Sequence, residues 1–146
     1  MVAKVCALAP DSVTDFSRVE RMAERCISGT EKHEYRRWFI HAKALNDYRA
    51  GHHEQAVVWL KRFAPKMSGT HWDGSGFAIL AMAHQRLGHA DEARTSLGPA
   101  REILAKKPQD AMRNWSWRDW LHSEILCREA EALIEPNEKS KSDSVR

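Results

Sequence analysis

A chain of 146 residues, 42% of them hydrophobic and 29% charged, has the length and composition of one globular domain with a modest core. Its net charge of +3 is mild, and its basic residues are interleaved with acidic ones, which argues against a dedicated nucleic-acid binder with a concentrated basic patch. No apolar run approaches membrane-spanning length, which excludes a transmembrane segment.

The three cysteines, Cys6, Cys26 and Cys127, form no CxxC pair, and one would be left over after any disulfide. This pattern is typical of a reducing compartment. The first ten residues lack the long apolar core and the cleavage site of a signal peptide. We therefore expect a cytoplasmic protein.

Apolar residues recur every three or four positions along most of the chain, and few stretches alternate with a period of two. This periodicity predicts an all-α fold. The periodic segments predict helices at roughly 12–28, 32–50, 53–66, 74–87, 90–106 and 116–135.

Local residues mark the ends of these helices. The first helix opens after Pro10, with Asp11 or Ser12 as its N-cap. Glycines that suit the left-handed position just past a helix end are Gly29, Gly51 and Gly88. Pro65 stops the third helix, and residues 65–76, with three glycines after that proline, are predicted to form a loop.

The fifth helix contains the pair Gly98-Pro99. Proline at this position removes a backbone hydrogen bond and clashes with the carbonyl of Thr95, four residues earlier. We expect either a kink or two shorter helices that meet near Gly98.

The last helix is predicted to start at Ser116, which has capping-box spacing with Asp119. Trp117 and Trp120 suit a capping helix that covers the apolar end of the fifth helix. The alternative for these tryptophans is a contact surface for another protein, where tryptophan is enriched. Residues 136–146 carry no apolar face and are predicted to be a disordered tail.

The segment from Arg49 to Ala56 aligns with the segment from Arg86 to Ala93, at an offset of 37 residues. Each segment runs from the end of one helix, through a glycine, into the next helix. A small alanine five residues after the glycine lets the two helices pack closely. A two-helix unit with a period near this length is typical of helical solenoids.

These residues resemble the tetratricopeptide repeat pattern. The matching positions are Gly51, Ala56 and Leu60 in one copy, and Phe77, Leu80, Ala81, Gly88, Ala93, Leu97 and Ala100 in the other. The resemblance implies a right-handed superhelical stack of antiparallel helix pairs over residues 1–135. It places repeats near 37–66 and 74–107 and a capping helix at 116–135.

A narrower resemblance is to the C-terminal repeat regions of large bacterial serine/threonine kinase and β-propeller proteins. The segments that carry this likeness are residues 6–11, 48–51, 80–94 and 128–133. The chain has no glycine-rich loop followed by a lysine strand, and no HRD or DFG triplet. The resemblance therefore implies a repeat portion without the kinase.

In this family, the first helix of each repeat lines a concave groove. The positions that the resemblance assigns to the groove are His41, Leu45, Tyr48 and Arg49 in one repeat, and Ala78, Met82, Gln85 and Arg86 in the next. Arg49 and Arg86 fall at equivalent places, where they could hold a carboxylate or an acidic peptide.

The sequence offers no set of residues with the spacing of a metal or catalytic site. No HExxH motif is present, and the adjacent His52 and His53 point to different faces of any regular element. Cys26 and Cys127 lie beside apolar residues and are interpreted as structural thiols. We therefore expect no enzyme, no cofactor and no metal.

The function that these observations favour is a scaffold that binds a protein or peptide partner. One alternative is a spacer or self-association module detached from a larger signalling protein. Binding of RNA by the helical repeats is a third, less favoured interpretation, since it requires a basic concave face. We expect no membrane partner.

Overall fold

A computed structural model of the chain describes residues 5–9, 13, 15–30, 32–33, 35–63, 67, 69–113 and 116–135. Its α-helices are α1 (Ser17–Ile27), α2 (Arg36–Arg49), α3 (His53–Phe63), α4 (Asp73–Arg86), α5 (Ala90–Ala105) and α6 (Trp117–Ile134), with a 3-10 helix at Ala111–Arg113. None of the residues in these ranges lies in a strand. The all-α prediction is confirmed, and each predicted helix corresponds to one of α1 to α6.

The predicted start of the first helix, with Asp11 or Ser12 as its N-cap, is wrong, because α1 begins at Ser17 with Phe16 at the N-cap position. Two predictions concern residues outside the described ranges: the helix stop at Pro65 and the disordered tail at 136–146. Among the helices that the structure describes, none is long and apolar enough to cross a membrane.

Helix α4 lies at the centre of the fold. It packs against α2, α3, α5 and α6, and every helix also packs against the next one along the chain. The main core therefore draws on several helices at once: its fully buried side chains include Leu45, Leu60, Ile79, Met82 and Leu126. Helix α1 packs against α2 alone among the described helices, and its buried Val19 and Ala23 pack with Cys6, Val13 and Phe16.

The turn between α2 and α3 is built on Gly51, whose φ of +84° lies in the left-handed region. The His52 amide donates to the Asp47 carbonyl at 2.8 Å, and the Gly51 amide donates to the Tyr48 carbonyl at 3.1 Å. These two bonds define a Schellman motif, which satisfies carbonyls that the end of a helix would otherwise leave unpaired.

The turn between α4 and α5 repeats this geometry at Gly88, where φ is +78°. The His89 amide donates to the His84 carbonyl at 2.9 Å, and the Gly88 amide donates to the Gln85 carbonyl at 3.1 Å. The offset of 37 residues in the sequence therefore corresponds to two turns with the same backbone hydrogen bonds.

The small residues that follow both turns face the interior. Ala56 in α3 and Ala93 in α5 are completely buried. Because neither carries a side chain beyond Cβ, each allows close contact between its helix and the preceding one. The two helical hairpins thus share a turn and the packing position that follows it.

Helix α4 begins earlier than the glycines in its first turn suggest. The Thr70 amide and hydroxyl both donate to Asp73 Oδ2, at 3.0 and 2.9 Å, and the Asp73 amide donates to the Thr70 carbonyl. This reciprocal bonding resembles a capping box and starts the helix at Asp73. Gly74 and Gly76, predicted to lie in the loop, are therefore helical.

Both glycines sit where neighbouring elements come close. A Cβ on Gly76 would lie 2.7 Å from His41 Nε2 and 2.8 Å from Met67 Cε. A Cβ on Gly74 would lie 3.1 Å from Ser123 Oγ. The missing side chains therefore admit α2 on one side of α4 and α6 on the other.

Helix α5 runs unbroken from Ala90 to Ala105 through Pro99, so two shorter helices do not form. Buried side chains lie on both sides of the proline, with Leu97 before it and Ala100 and Ile103 after it. We attribute the continuity to this packing, which holds both halves of α5 against the core despite the missing backbone hydrogen bond.

The start of α6 also differs in detail from the prediction. Ser116 is the N-cap residue, but its side chain makes no capping hydrogen bond. The Asp119 and Trp120 amides instead donate to the Ser116 carbonyl. The capping-box spacing therefore identified the boundary of the helix but not its hydrogen bonding.

Candidate functional site

The side chains assigned to a concave groove lie mostly in the core. Gln85 is half-buried and Arg86 is exposed, whereas five of the eight have relative exposures of 6% or less: His41, Leu45, Tyr48, Ala78 and Met82. The structure thus brings these five together as packing residues rather than as the lining of an open groove.

Helix α6 explains this burial. It was expected to cover the end of α5, but it packs against both α4 and α5. Leu126 and Ala130 of α6 belong to the same buried cluster as Leu45 of α2 and Met82 of α4. The face of α4 that would border a groove is therefore part of the interior.

Arg49 is committed to contacts within the chain. Its Nη1 and Nη2 donate to the two carboxylate oxygens of Glu129 in α6, the second at 2.6 Å. Its Nε donates to the Ala7 carbonyl at 2.8 Å, and Nη2 also donates to the Leu8 carbonyl at 3.0 Å. Because the side chain is only 5% exposed, Arg49 joins three segments of the fold rather than presenting a charge to a partner.

Arg86 has different surroundings from Arg49, although the two align in the repeat. Arg86 is exposed at the end of α4. Burial, and to a smaller extent the charge of Arg86, lower the pKa of His53. Arg49 is therefore held by contacts within the chain, whereas Arg86 is exposed to solvent.

Each Schellman turn brings a helix side chain next to the histidine that follows the glycine. In the second hairpin these residues are His84 and His89, whose Nδ1 atoms lie 3.3 Å apart. Burial lowers the pKa of His84, and the positive charges of Lys61 and His89 act in the same direction. When one ring donates its Nδ1–H to the Nδ1 of the other, both nitrogens are hydrogen-bonded. Two imidazolium ions would instead repel each other.

In the first hairpin the equivalent residues are Asp47 and His52, and Glu20 of α1 joins them. His52 Nδ1 lies 3.3 Å from Glu20 Oε1. One ligand atom from each of the three residues lies within 4.8 Å of the other two. No spacing motif marks this cluster in the sequence, because Glu20 is far from the other two residues in the chain.

Lys43 completes the polar surroundings of Asp47. Its Nζ donates to Asp47 Oδ1, one helical turn away, and both residues are buried. The other oxygen, Oδ2, is buried and has no hydrogen-bond partner among the residues that the structure describes. Burial is the largest influence and raises the pKa of Asp47, whereas the hydrogen bond and charge of Lys43 lower it.

A second polar cluster lies where the loop before α4 meets α6. Asp73 is fully buried, and its Oδ1 lies 3.4 Å from Arg37 Nη1. The ring of His71 packs on that of Trp120 at a centroid distance of 5.6 Å. Burial lowers the pKa of His71. Because Asp73 also bonds to Thr70, we interpret this cluster as holding the start of α4 in place.

The outer side of α1 carries an arginine face, defined here as Arg18, Arg21, Met22 and Arg25. All four side chains are exposed, and together they line one shallow surface depression. Their spacing places them on one side of the helix, opposite the buried Val19 and Ala23. No ion pair joins these arginines to another residue in the described part of the chain.

The outer side of α6 carries an apolar stripe, defined here as Trp117, Leu121 and Ile125, which are four residues apart. Trp117 is 41% exposed and Ile125 is 38% exposed, whereas Trp120 on the other side is 7% exposed. Of the two tryptophans assigned to the cap, Trp120 is buried and Trp117 faces outwards, because they lie on different faces of the helix.

The cysteines differ in their surroundings. Cys127 is buried in the core, and burial raises the pKa of its thiol to about 11. Its neighbour Glu131 acts in the same direction, and Arg101 opposes it. Since the thiolate is the reactive form, Cys127 is a poor nucleophile at neutral pH, in agreement with a structural thiol. Cys26 is only half-buried.

Comparison with known proteins identifies no relative of this chain. No protein-family model matches it, and neither does any curated protein or any solved structure.

Proposed function

We propose that this chain is a non-catalytic, cytoplasmic scaffold built from tetratricopeptide-like repeats that binds an acidic protein segment through the arginine face of α1. The two hairpins with matching Schellman turns support the repeat architecture. Contacts of α4 with both α2 and α6 also support it, since successive first helices are neighbours in a superhelical stack of antiparallel helix pairs.

The arginine face replaces the predicted groove as the binding surface, because the groove side chains are buried. The observation that carries the proposal is the exposure of three arginines around one exposed methionine on α1. Guanidinium groups bind carboxylates in two-point contacts, and a central apolar side chain adds contact area. An acidic amphipathic helix offers both features at matching spacing.

The test uses a fluorescein-labelled peptide helix with Glu at positions i, i+3 and i+7 and Leu at i+4. Fluorescence anisotropy measures its binding to the whole chain. We expect saturable binding that weakens with added salt, because exposed charges are screened. The peptide with Lys in place of Glu should not bind, since its charges match those of the arginine face.

Two triple variants locate the surface. The first variant should abolish binding of the acidic peptide, and it combines Arg18→Glu, Arg21→Glu and Arg25→Glu. The matched control changes three exposed cations elsewhere, Arg94→Glu, Lys106→Glu and Arg113→Glu, with the same change in net charge. Equal losses in both variants, or no peptide binding at all, would overturn the proposal. A single-stranded RNA that binds more tightly than the peptide would instead assign the face to nucleic acid.

The apolar stripe of α6 favours self-association as a second candidate function. A stripe on an end helix can pair with the same stripe of a second copy across a twofold axis. Size-exclusion chromatography with light scattering tests this candidate. A dimer that Trp117→Glu converts to a monomer supports it, and a monomer at all protein concentrations excludes it.

A further inference from the structure

The cluster of Glu20, Asp47 and His52 assembles ligand atoms from three separate places in the chain. Glu20 projects from α1, Asp47 lies near the end of α2, and His52 follows the glycine turn. The 3.3 Å between His52 Nδ1 and Glu20 Oε1 is within the range of two ligands bound to one cation, because each metal–ligand bond is about 2.0–2.2 Å long. The ligand atoms of all three residues lie within 4.8 Å of one another.

Asp47 supplies an independent reason for a cation here. The residue is 1% exposed, and within the described ranges its Oδ2 has no hydrogen-bond partner. A buried acceptor without a partner destabilises the fold, since it gives up its hydrogen bonds to water. Lys43 occupies only Oδ1, so Oδ2 remains available to a metal ion.

The surrounding charge favours a cation as well. Glu20 and Asp47 contribute two carboxylates, and Lys43 contributes one ammonium group, so a negative charge remains in excess when His52 is neutral. The side chains of His52 and Glu20 are 57% and 27% exposed. The cluster is therefore open to solvent on the side away from Asp47, which provides an entry path and room for water ligands.

We propose that Glu20, Asp47 and His52 bind one divalent transition-metal cation of the zinc class. An imidazole nitrogen beside two carboxylate oxygens suits Zn²⁺, Fe²⁺ or Co²⁺ better than Mg²⁺ or Ca²⁺, which prefer oxygen ligands alone. Such an ion would link α1 to the turn after α2. This proposal is independent of the arginine face, which lies on the other side of α1.

The second hairpin provides an internal comparison. His84 and His89 occupy the positions of Asp47 and His52 in an equivalent turn. Within the described part of the chain, the group of three potential ligands forms only at the first turn. His89→Ala is therefore a matched control, because it removes the histidine after the glycine from the hairpin that lacks a third ligand.

Isothermal titration of the tag-free chain with ZnCl₂ tests the site. We expect one Zn²⁺ ion per chain and a higher thermal midpoint with the ion, because a ligand that binds only the folded state stabilises it. Titration with CoCl₂ gives a second readout, since the visible absorption of Co²⁺ reports nitrogen and oxygen ligation.

His52 and Glu20 are substituted rather than Asp47, because both are at least partly exposed and their substitution leaves the buried core intact. His52→Ala and Glu20→Gln should each weaken Zn²⁺ binding by more than about tenfold, since loss of a residue that merely supports a metal ligand already costs about 10- to 100-fold. His89→Ala should bind Zn²⁺ like the wild type. Absence of saturable Zn²⁺ binding, or an equal effect of His52→Ala and His89→Ala, would overturn the metal site.

Discussion

Arg49 and Glu129 meet in a two-point contact between the end of α2 and the last third of α6. The same guanidinium group also binds the carbonyls of Ala7 and Leu8, so one side chain holds the N-terminal segment, α2 and α6 together. Its aligned counterpart, Arg86, is exposed instead. This difference between two equivalent positions leads to the first prediction.

Arg49→Ala should lower the free energy of unfolding by about 2–3 kcal/mol, because it removes several hydrogen bonds to charged and backbone acceptors. Arg86→Ala should change it by less than about 0.5 kcal/mol, as is usual for exposed positions. Urea denaturation of both variants measures the difference. Equal effects would mean that the contact between Arg49 and Glu129 contributes nothing to stability.

Gly76→Ala should destabilise the protein by about 1–3 kcal/mol, the usual effect of overpacking a core. The added Cβ would lie too close to His41 and Met67. Gly98→Ala is the comparison, because nothing outside its own helix and its two chain neighbours lies within 4 Å of its Cβ position. Crowding between the new Cβ and the Pro99 ring offsets the gain in helix propensity, so we expect a change of less than about 1 kcal/mol. Thermal denaturation of the two variants should therefore show the larger loss of stability for Gly76→Ala.

Trp120→Ala should lower the free energy of unfolding by about 3–5 kcal/mol, the range for a large buried aromatic residue. Trp117→Ala should have a much smaller effect, because that side chain is 41% exposed. Chemical denaturation followed by circular dichroism avoids the loss of a fluorescent tryptophan. A larger effect for Trp117 than for Trp120 would contradict the orientation of α6.

His84 should make the fold sensitive to acid. Burial, Lys61 and His89 lower its pKa below the usual 6.5, while Glu92 opposes them. The unfolded chain then binds more protons than the folded chain between the two pKa values, so stability falls as the pH drops below about 7. In His84→Gln, the loss of unfolding free energy between pH 7.5 and pH 5 should be smaller than in the wild type. A variant with the wild-type pH slope would show that His84 does not contribute.

The thiol of Cys127 should resist modification. With a pKa of about 11, it is almost entirely protonated at pH 8, and it is buried as well. Titration with Ellman's reagent should therefore show Cys127 reacting only after urea is added, with Cys127→Ser identifying its contribution. Fast reaction of Cys127 in the native protein would contradict its burial.

Much of the secondary structure could be predicted, because its determinants are local. Gly29, Gly51 and Gly88 all adopt positive φ just past a helix end, as the spacing of apolar residues around them predicts. The predicted helix at 74–87 located α4 to within one residue, but Gly74 and Gly76 were also placed in the predicted loop at 65–76, because their role is spatial. They admit His41 and Ser123, which are distant in the chain. The Thr70 and Asp73 spacing was the local feature that could have located the start of α4.

The candidate sites depend on contacts between distant segments, and the sequence alone could not supply them. Whether Leu45 and Met82 face a groove or the core depends on where α6 packs. The cluster at Asp47 depends on α1, which places Glu20 beside His52. Neither arrangement has a motif with fixed spacing. The arginine face of α1, by contrast, follows from helical periodicity and could have been predicted.

The two Schellman turns hold the same backbone with different side chains on either side of the glycine. The glycine and the amide–carbonyl bonds specify the loop by themselves, so selection is free to alter the flanking pair without disturbing the hairpin. One copy carries an acid with an imidazole, and the other carries two imidazoles. The backbone of the turn therefore accommodates an acidic or an imidazole side chain at the helix position without a change in its hydrogen bonds.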